Sequence, residues 1–582
     1  MIASGTTNPG HADFTRRGFF VALAASGAAA SASALVRGES TPSGSSATSG
    51  AAASPDAIAE STIAEAEKLA GITFTADERV QVARTVAEHL ELFRARAAFG
   101  PLDNQLAPAQ VFRVLFPHEQ PRTRSNALIE RFQRKGKPAP ESDADLDFAT
   151  VEQLAVWMKD GKVTSRRLVA RSIARLRKAS EKLNNVITLI EGPAYREADE
   201  RDLEARKGAL RGPLHGIPYG LKDLFDTAGI RTTWGAEPWR DRTPAGDATV
   251  VKRLRDAGAV CVAKTAVGAL AYGDIWFGGT CRNPWNPERG SSGSSAGSAS
   301  AVAAGCVPFA IGTETLGSIV SPSTVCGTTG LRPTFGRVPR DGAMALCWSW
   351  DKVGPITRSV VDTGLVLAAL NGAGNLDPSS VSVPFTPPRL PNAKGLRLAY
   401  DPAWFAGPMS SHRDALDAAK ACGAELVERA ATPPADPSIL VTSLMAEAAA
   451  AFEEMTRSST DDRLSWQADE AWPNSFRKTW FIPAIELVQA ERLRRVFMQW
   501  MRTALDGVDA LILPPYAGGM LTVTNATGHP TLVLRAGFDG PSAPRSITLI
   551  GHPFDEATLI GVGAALEAQL AVCEKRPEMA WM

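Results

Sequence analysis

From about Phe148 onward the chain alternates short apolar runs with stretches of helical period, and this rhythm restricts the fold more than any other feature. The runs are Ile217–Leu221, Val260–Ala263, Val307–Ile311, Leu396–Tyr400, Ala510–Leu513, Thr531–Leu534 and Ile547–Ile550. They are too short for a helix that buries a face, and they suit strands buried on both sides. A helical stretch opens at Thr150-Val151-Glu152-Gln153, a capping box, and continues to about Lys178. Strands alternating with helices predict an α/β fold: a large mixed, mainly parallel β-sheet covered by helices on both faces. No internal repeat is present, so residues 143–582 are expected to form one large domain.

The N-terminal part reads differently. Thr15-Arg16-Arg17-Gly18-Phe19-Phe20 precedes a weakly hydrophobic Ala/Gly/Ser run from Val21 to Val36 with Ala30-Ser31-Ala32 and Ala32-Ser33-Ala34 steps. Paired arginines, a weak apolar run and Ala-x-Ala steps predict a twin-arginine signal over residues 1–36. The expected partner is the twin-arginine export machinery. The expected location is periplasmic or extracellular, with no stable membrane insertion after processing. Residues 37–56 are rich in Ser, Gly and Ala and predict a flexible linker. A helical extension and strap is expected over 57–142: a helix from about Ala57 to Ala70 stopped by Gly71, a second opening at the capping box Thr75-Ala76-Asp77-Glu78, and a Pro-rich, charged strap from 101. In the second helix Val82, Val86, Leu90 and Phe93 fall on one face. These helices suit either covering the catalytic domain or pairing two subunits in a homodimer.

Lys plus Arg number 62 and Asp plus Glu number 62, a balance with no field to steer nucleic acid or an anionic membrane. Seven cysteines show no CxxC spacing and seven histidines no HExxH, so no metal site is expected.

Three segments carry chemistry. Gly212-Pro213-Leu214-His215-Gly216-Ile217-Pro218-Tyr219-Gly220-Leu221-Lys222-Asp223 places a lysine at the end of an apolar strand, where desolvation lowers its pKa towards that of a working base. Arg289-Gly290-Ser291-Ser292-Gly293-Ser294-Ser295-Ala296-Gly297-Ser298 is a Gly/Ser loop locked between the turn-rich Asn283-Pro284-Trp285-Asn286-Pro287 and a helix-like stretch, which is no place for a tether. Gly312-Thr313-Glu314-Thr315-Leu316-Gly317-Ser318-Ile319-Val320 follows a buried strand.

Together with Cys326-Gly327-Thr328-Thr329-Gly330-Leu331-Arg332-Pro333-Thr334, Asn525-Ala526-Thr527-Gly528-His529-Pro530 and Leu549-Ile550-Gly551-His552-Pro553-Phe554-Asp555, these segments resemble the amidase signature family over about Phe148 to Leu570. The resemblance implies a Ser-Ser-Lys triad: Ser318 as nucleophile, Ser294 as the bridging serine after a cis Gly293–Ser294 peptide, and Lys222 as base. It also implies an oxyanion hole from the backbone N–H groups of Thr315, Leu316, Gly317 and Ser318, a small-molecule amide as substrate, and no cofactor. Ala271, Tyr272 and Trp276 fall where the family lines its acyl-side pocket, and Trp348 and Trp350 are bulkier than that pattern; core packing is an equal reading for all five.

Some positions depart from the pattern. Leu316 stands where the family has Gly, and Glu314 and Val320 stand for its Asp and Arg, so that ion pair is missing and Glu314 must find another partner or water. The leading expectation is an exported amidase. Two alternatives stay open: the glutaminase subunit of a tRNA-dependent amidotransferase, and a weakly catalytic binding protein on the same fold.

Overall fold

The computed structural model describes residues 58–98, 100–122, 138, 140, 142–388 and 392–580. The expected signal at 1–36 and linker at 37–56 lie outside them. Of the described residues, those up to Leu102, with Phe481–Pro483, form a small helical unit, and those of Asp103–Trp480 and from Ala484 onward form the large one. The strap from Asp103 therefore groups with the large unit rather than with the helical extension.

In the small unit the helix Glu60–Ala70 ends on Gly71, whose φ of 67° is the left-handed turn that glycine adopts without penalty. Thr75 caps the next helix, accepting from the Glu78 N–H while Glu78 accepts from the Thr75 N–H. The second expected helix is two, Ala76–Thr85 and Ala87–Ala98. The Thr85 hydroxyl donates back to the Gln81 carbonyl at 3.0 Å, a bond that bends helices.

In the large unit Thr150 and Gln153 cap Val151–Lys159 reciprocally at 3.1 Å. The helical stretch expected to reach Lys178 is interrupted at Gly161, φ 67°, and restarts as Ser165–Leu183. The strands in chain order are β1 Val186–Leu189, β2 Pro218–Lys222, β3 Val260–Thr265, the ribbon pairs β4 Ile275–Trp276 with β5 Gly279–Thr280 and β6 Arg282–Asn283 with β7 Asn286–Gly290, then β8 Phe309–Glu314, β9 Thr329–Arg332, β10 Lys352–Thr357, β11 Arg397–Tyr400, β12 Glu425–Glu428, β13 Ala510–Leu513, β14 Thr531–Phe538 and β15 Pro544–Gly551. Eleven of them form one mixed sheet in the order β1-β3-β2-β8-β10-β9-β14-β15-β13-β11-β12, packed with helices. Parallel pairing occurs in two blocks, β3-β2-β8 and β13-β11-β12, and antiparallel strands join them.

All seven apolar runs became strands. β9 and β10 escaped the sequence because Thr329, Gly330, Lys352, Gly354 and Pro355 break the apolar pattern, yet both strands are buried throughout. In the first parallel block β2 lies between β3 and β8, with Leu221 opposite Ile311 and Lys222 opposite Thr265. Tyr219 stacks on Phe309 across this pair with ring centroids 5.4 Å apart. The carboxyl ends of β2 and β8 thus lie side by side, where open α/β sheets place their sites.

Candidate active site

β2 is buried at every residue, and its last residue, Lys222, has 0% exposure. The Nζ has three oxygen neighbours: Ser294 Oγ at 2.8 Å, Thr313 Oγ1 at 2.8 Å and the Thr313 carbonyl at 3.2 Å. Among the described residues no carboxylate lies within ion-pair distance of it. Burial pulls its pKa down to about 7, against the pull of the Asp351 and Glu314 charges. A neutral amine has two N–H donors and one lone pair. The Thr313 carbonyl can only accept, so with all three contacts kept, one of the two hydroxyls donates to the amine. Lys222 is therefore equipped to receive a proton from Ser294.

Ser294 follows a cis peptide bond to Gly293 and is 1% exposed. The loop is wedged against the 273–274 segment. A Cβ at Gly293 would stand 1.8 Å from the Gly273 carbonyl, and one at Gly290 would stand 2.0 Å from Asp274 Oδ2, so close approach requires both glycines. Asp274 also accepts from the Ser292 N–H at 3.1 Å. Ser295 ties the Gly/Ser loop to β8 and to the nucleophile candidate. Its hydroxyl donates to the Thr313 carbonyl at 3.1 Å and accepts from the Thr313 N–H at 3.2 Å, while its own N–H donates to the Ser318 carbonyl at 3.1 Å.

Ser318 sits in the turn between β8 and the helix Val320–Cys326 and is 7% exposed. Gly317 takes the positive φ of this turn, 86°, and Leu316 is not among the residues with positive φ, so a side chain at 316 is compatible with the backbone. No backbone acceptor within the protein meets the N–H groups of Leu316, Gly317 and Ser318 among the described residues. Glu314 is not solvated. It forms a fully buried ion pair with Arg332 at 2.6 Å and accepts from the N–H groups of Ile319 and Val320 at 2.7 and 2.8 Å and from Asn525 at 2.8 Å. Burial alone would raise its pKa, but the Arg332 charge and these donors hold it below the usual value. An arginine from β9 thus supplies the charge that Val320 lacks. Asp351 fixes the other side of the loop, accepting from Thr315 Oγ1 at 2.5 Å and from the N–H groups of Leu346 and Cys347 at 2.8 and 3.0 Å.

A cavity of about 400 Å³ opens over this floor and reaches Thr313, Thr315, Asp351, Ala271 and Trp348. Lys222, Ser294 and Ser318 do not themselves line it, although Lys222 hydrogen-bonds Thr313, which does. The other pocket candidates are placed elsewhere. Trp350 has 0% exposure and belongs to the hydrophobic core, with the Arg494 guanidinium 5.6 Å from its ring. Trp276 is buried, and its indole N–H donates to the Asn184 carbonyl at 3.2 Å. Tyr272 stacks with Trp466 at 5.0 Å and meets Trp472 at a tilt at 5.1 Å, outside the cavity lining. For these three the packing reading describes their positions. Sequence reasoning passed over Thr313, Ser295, Asp351 and Arg332. Arg332, Thr313 and Ser295 lie inside the sequence motifs, but nothing in their spacing announces the partners they find.

The family model for Amidase matches residues 167–560. An amidase of Pseudomonas putida is 33% identical over 477 residues, covering 75% of this chain and 99% of the relative. A glutamyl-tRNA(Gln) amidotransferase subunit from Anaeromyxobacter dehalogenans (strain 2CP-C) is 31% identical over 473 residues, covering 72% of this chain and 95% of the relative. Among solved structures, the native peptide amidase of Stenotrophomonas maltophilia superposes with a TM-score of 0.65 at 28% identity, covering 76% of this chain and 99% of that one.

Proposed function

The chain belongs to the amidase family, and from that premise we propose that it is a serine amidase in which Ser318 attacks a small carboxylic amide, Ser294 relays the proton and Lys222 is the base. One observation carries the reading: a fully buried lysine amine with no carboxylate at ion-pair distance among the described residues, 2.8 Å from the Ser294 hydroxyl and with its pKa lowered to about 7.

A serine hydroxyl is a poor nucleophile until a base takes its proton. Neutral Lys222 takes the Ser294 proton as Ser294 takes that of Ser318. The Ser318 oxygen then forms a bond to the carbonyl carbon. The N–H groups of Thr315, Leu316, Gly317 and Ser318 hold the resulting oxyanion, a contribution of about 3–4 kcal/mol per donor in a preorganised site. Ser294 returns a proton to the leaving nitrogen, Lys222 replenishes Ser294, and the C–N bond breaks to release ammonia or an amine. Water attacks the Ser318 ester by the same relay and frees the acid. The scheme calls for no cofactor.

The same proposal includes export of the chain by a twin-arginine signal at 1–36 to the periplasm or beyond, a linker at 37–56, a helical extension and strap at 57–142, and a catalytic domain from 143. Pairing of two chains through the extension is its remaining part.

The test is labelling with a fluorophosphonate serine probe and peptide mass mapping, alongside amide hydrolysis. Label on Ser318, absent from Ser318→Ala and strongly reduced in Lys222→Ala, is expected. Label on a different serine, or none on folded protein, sinks the Ser318 assignment and favours a binding protein on this fold. The similarity to an amidotransferase component supports a second reading. It requires co-purifying partner chains and ammonia release from glutamine that depends on them.

A further inference from the structure

The segment Asn104–Ala107 precedes the family-matched span of 167–560, yet it reaches the cavity. Gln105 and Ala107 line it directly. Two adjacent side-chain amides then grip the 342–348 loop, which forms a neighbouring part of the lining. Asn104 donates to the Ala345 carbonyl at 3.0 Å and accepts from the Ala345 N–H at 2.8 Å, a reciprocal pair like that between two strands. Gln105 donates to the Ala343 carbonyl at 2.5 Å and accepts from the Gly342 N–H at 2.9 Å. The Asn104 backbone carbonyl accepts from the indole N–H of Trp348, itself a lining residue, at 3.2 Å.

The gripped loop runs straight into the site. The next two residues, Leu346 and Cys347, give their N–H groups to Asp351, and Asp351 holds Thr315 at the head of the Ser318 turn. None of these bonds touches Lys222 or Ser294. The staple is placed to set the shape of the cavity and not to move protons.

We propose that Asn104 and Gln105 are specificity-determining residues: they staple the 342–348 loop and Trp348 into a wall that limits the size of the group a substrate amide can present, with Ala107 leaving the room that remains. This rests on the amidase reading. Four hydrogen bonds to backbone define the wall, so their loss lets Trp348 and the loop retreat, and bulky amides gain relative to small ones.

The test compares kcat/KM for acetamide and for a bulky aryl amide in the full chain, with hydrogen exchange at Gly342 and Ala345 measured on the same preparations. Asn104→Ala/Gln105→Ala is expected to raise the bulky-to-small ratio by about tenfold, the size of effect that one or two methylenes produce in a pocket, and to speed exchange at both amides. The midpoint of the rising pH limb stays in place. Ala107→Leu, which keeps the staple and fills the cavity, is expected to move the ratio the other way, and it decides the matter where the double variant fails to fold. A parallel fall for both amides, or an unchanged ratio in both variants, overturns the proposal. Wild-type protein that hydrolyses neither amide overturns the amidase reading; the staple then stands only if exchange quickens, and falls if it does not.

Discussion

Two lysines stand at the ends of neighbouring strands, both with 0% exposure, and their surroundings are opposite. Lys264 on β3 lies opposite Leu221, one residue from Lys222 in the register of β2. Its Nζ is 3.3 Å from the equally buried Asp223 carboxylate and donates to the Phe225 carbonyl at 2.7 Å and the Thr232 hydroxyl at 2.5 Å. Lys222 meets only two hydroxyls and a carbonyl. Burial lowers the pKa of both. For Lys264 the Asp223 charge pulls against the desolvation that still lowers its pKa, as the Lys264 charge pulls against the burial that raises Asp223, and the two form a structural pair. For Lys222 no carboxylate among the described residues lies within ion-pair distance, and against the pull of the Asp351 and Glu314 charges burial still brings its pKa down to about 7, so a large share of the amine is neutral near pH 7. What separates a base from a strut here is one carboxylate.

The largest effect expected to sharpen this contrast is on turnover. Lys222→Met removes the base and should cut kcat/KM by about 10²–10⁴-fold, the usual worth of a positioned general base. The thermal midpoint should hold or rise, because an uncompensated buried amine has gone. Lys264→Met should do the reverse in urea unfolding: a stability loss of about 3–5 kcal/mol, because a buried carboxylate is left without its partner. If Lys264→Met unfolds like wild type while abolishing activity, the assignment of the two roles is wrong.

A third expectation concerns pH. The working form of Lys222 is neutral, so kcat/KM should be low where the amine is protonated and climb as pH rises through about 7. An ordinary lysine titrates at about 10.4, and a limb centred there would mean that Lys222 is not buried in this way in solution.

The smallest effect concerns Glu314. Its charge opposes the lowering of the Lys222 pKa, and its carboxylate gathers Arg332, Asn525 and the N–H groups after Ser318. Glu314→Gln keeps the shape and removes the charge. The pH limb should move to lower pH, and kcat/KM on its plateau should drop by about tenfold, equivalent to about 1.4 kcal/mol of barrier. A limb displaced upward would contradict the contribution assigned to Glu314.

Much of the fold was legible because it depends on neighbours in sequence. The Thr75 and Thr150 capping boxes and the Gly71 stop are satisfied within a few residues of themselves, and the seven apolar runs show in local composition although their sheet partners are remote. β9 and β10 were not legible: Lys352, Gly354 and Pro355 look like surface or loop residues until the sheet surrounds them. Lys352 is tolerated in the interior because its amine donates to the Asn525 carbonyl at 3.2 Å, 173 residues away in sequence. The aromatic residues show the same limit. Trp348 lines the cavity and Trp350 fills the core, although the two lie on the same short stretch of chain.

The sequence by itself determined the alternating architecture, the motifs that bring Lys222, Ser294 and Ser318 into consideration, and the Gly71 helix stop. Only the tertiary structure decided that Arg332 balances Glu314, that Asp223 pairs with Lys264 while Lys222 meets hydroxyls and a carbonyl, and that Asn104 and Gln105 grip the cavity wall. Turns and caps are governed by local backbone sterics and hydrogen bonds a few residues apart, which the order of residues encodes directly. Desolvation and ion pairing depend on distance through space in a low-dielectric interior, and that distance exists only once the sheet has brought remote strands together.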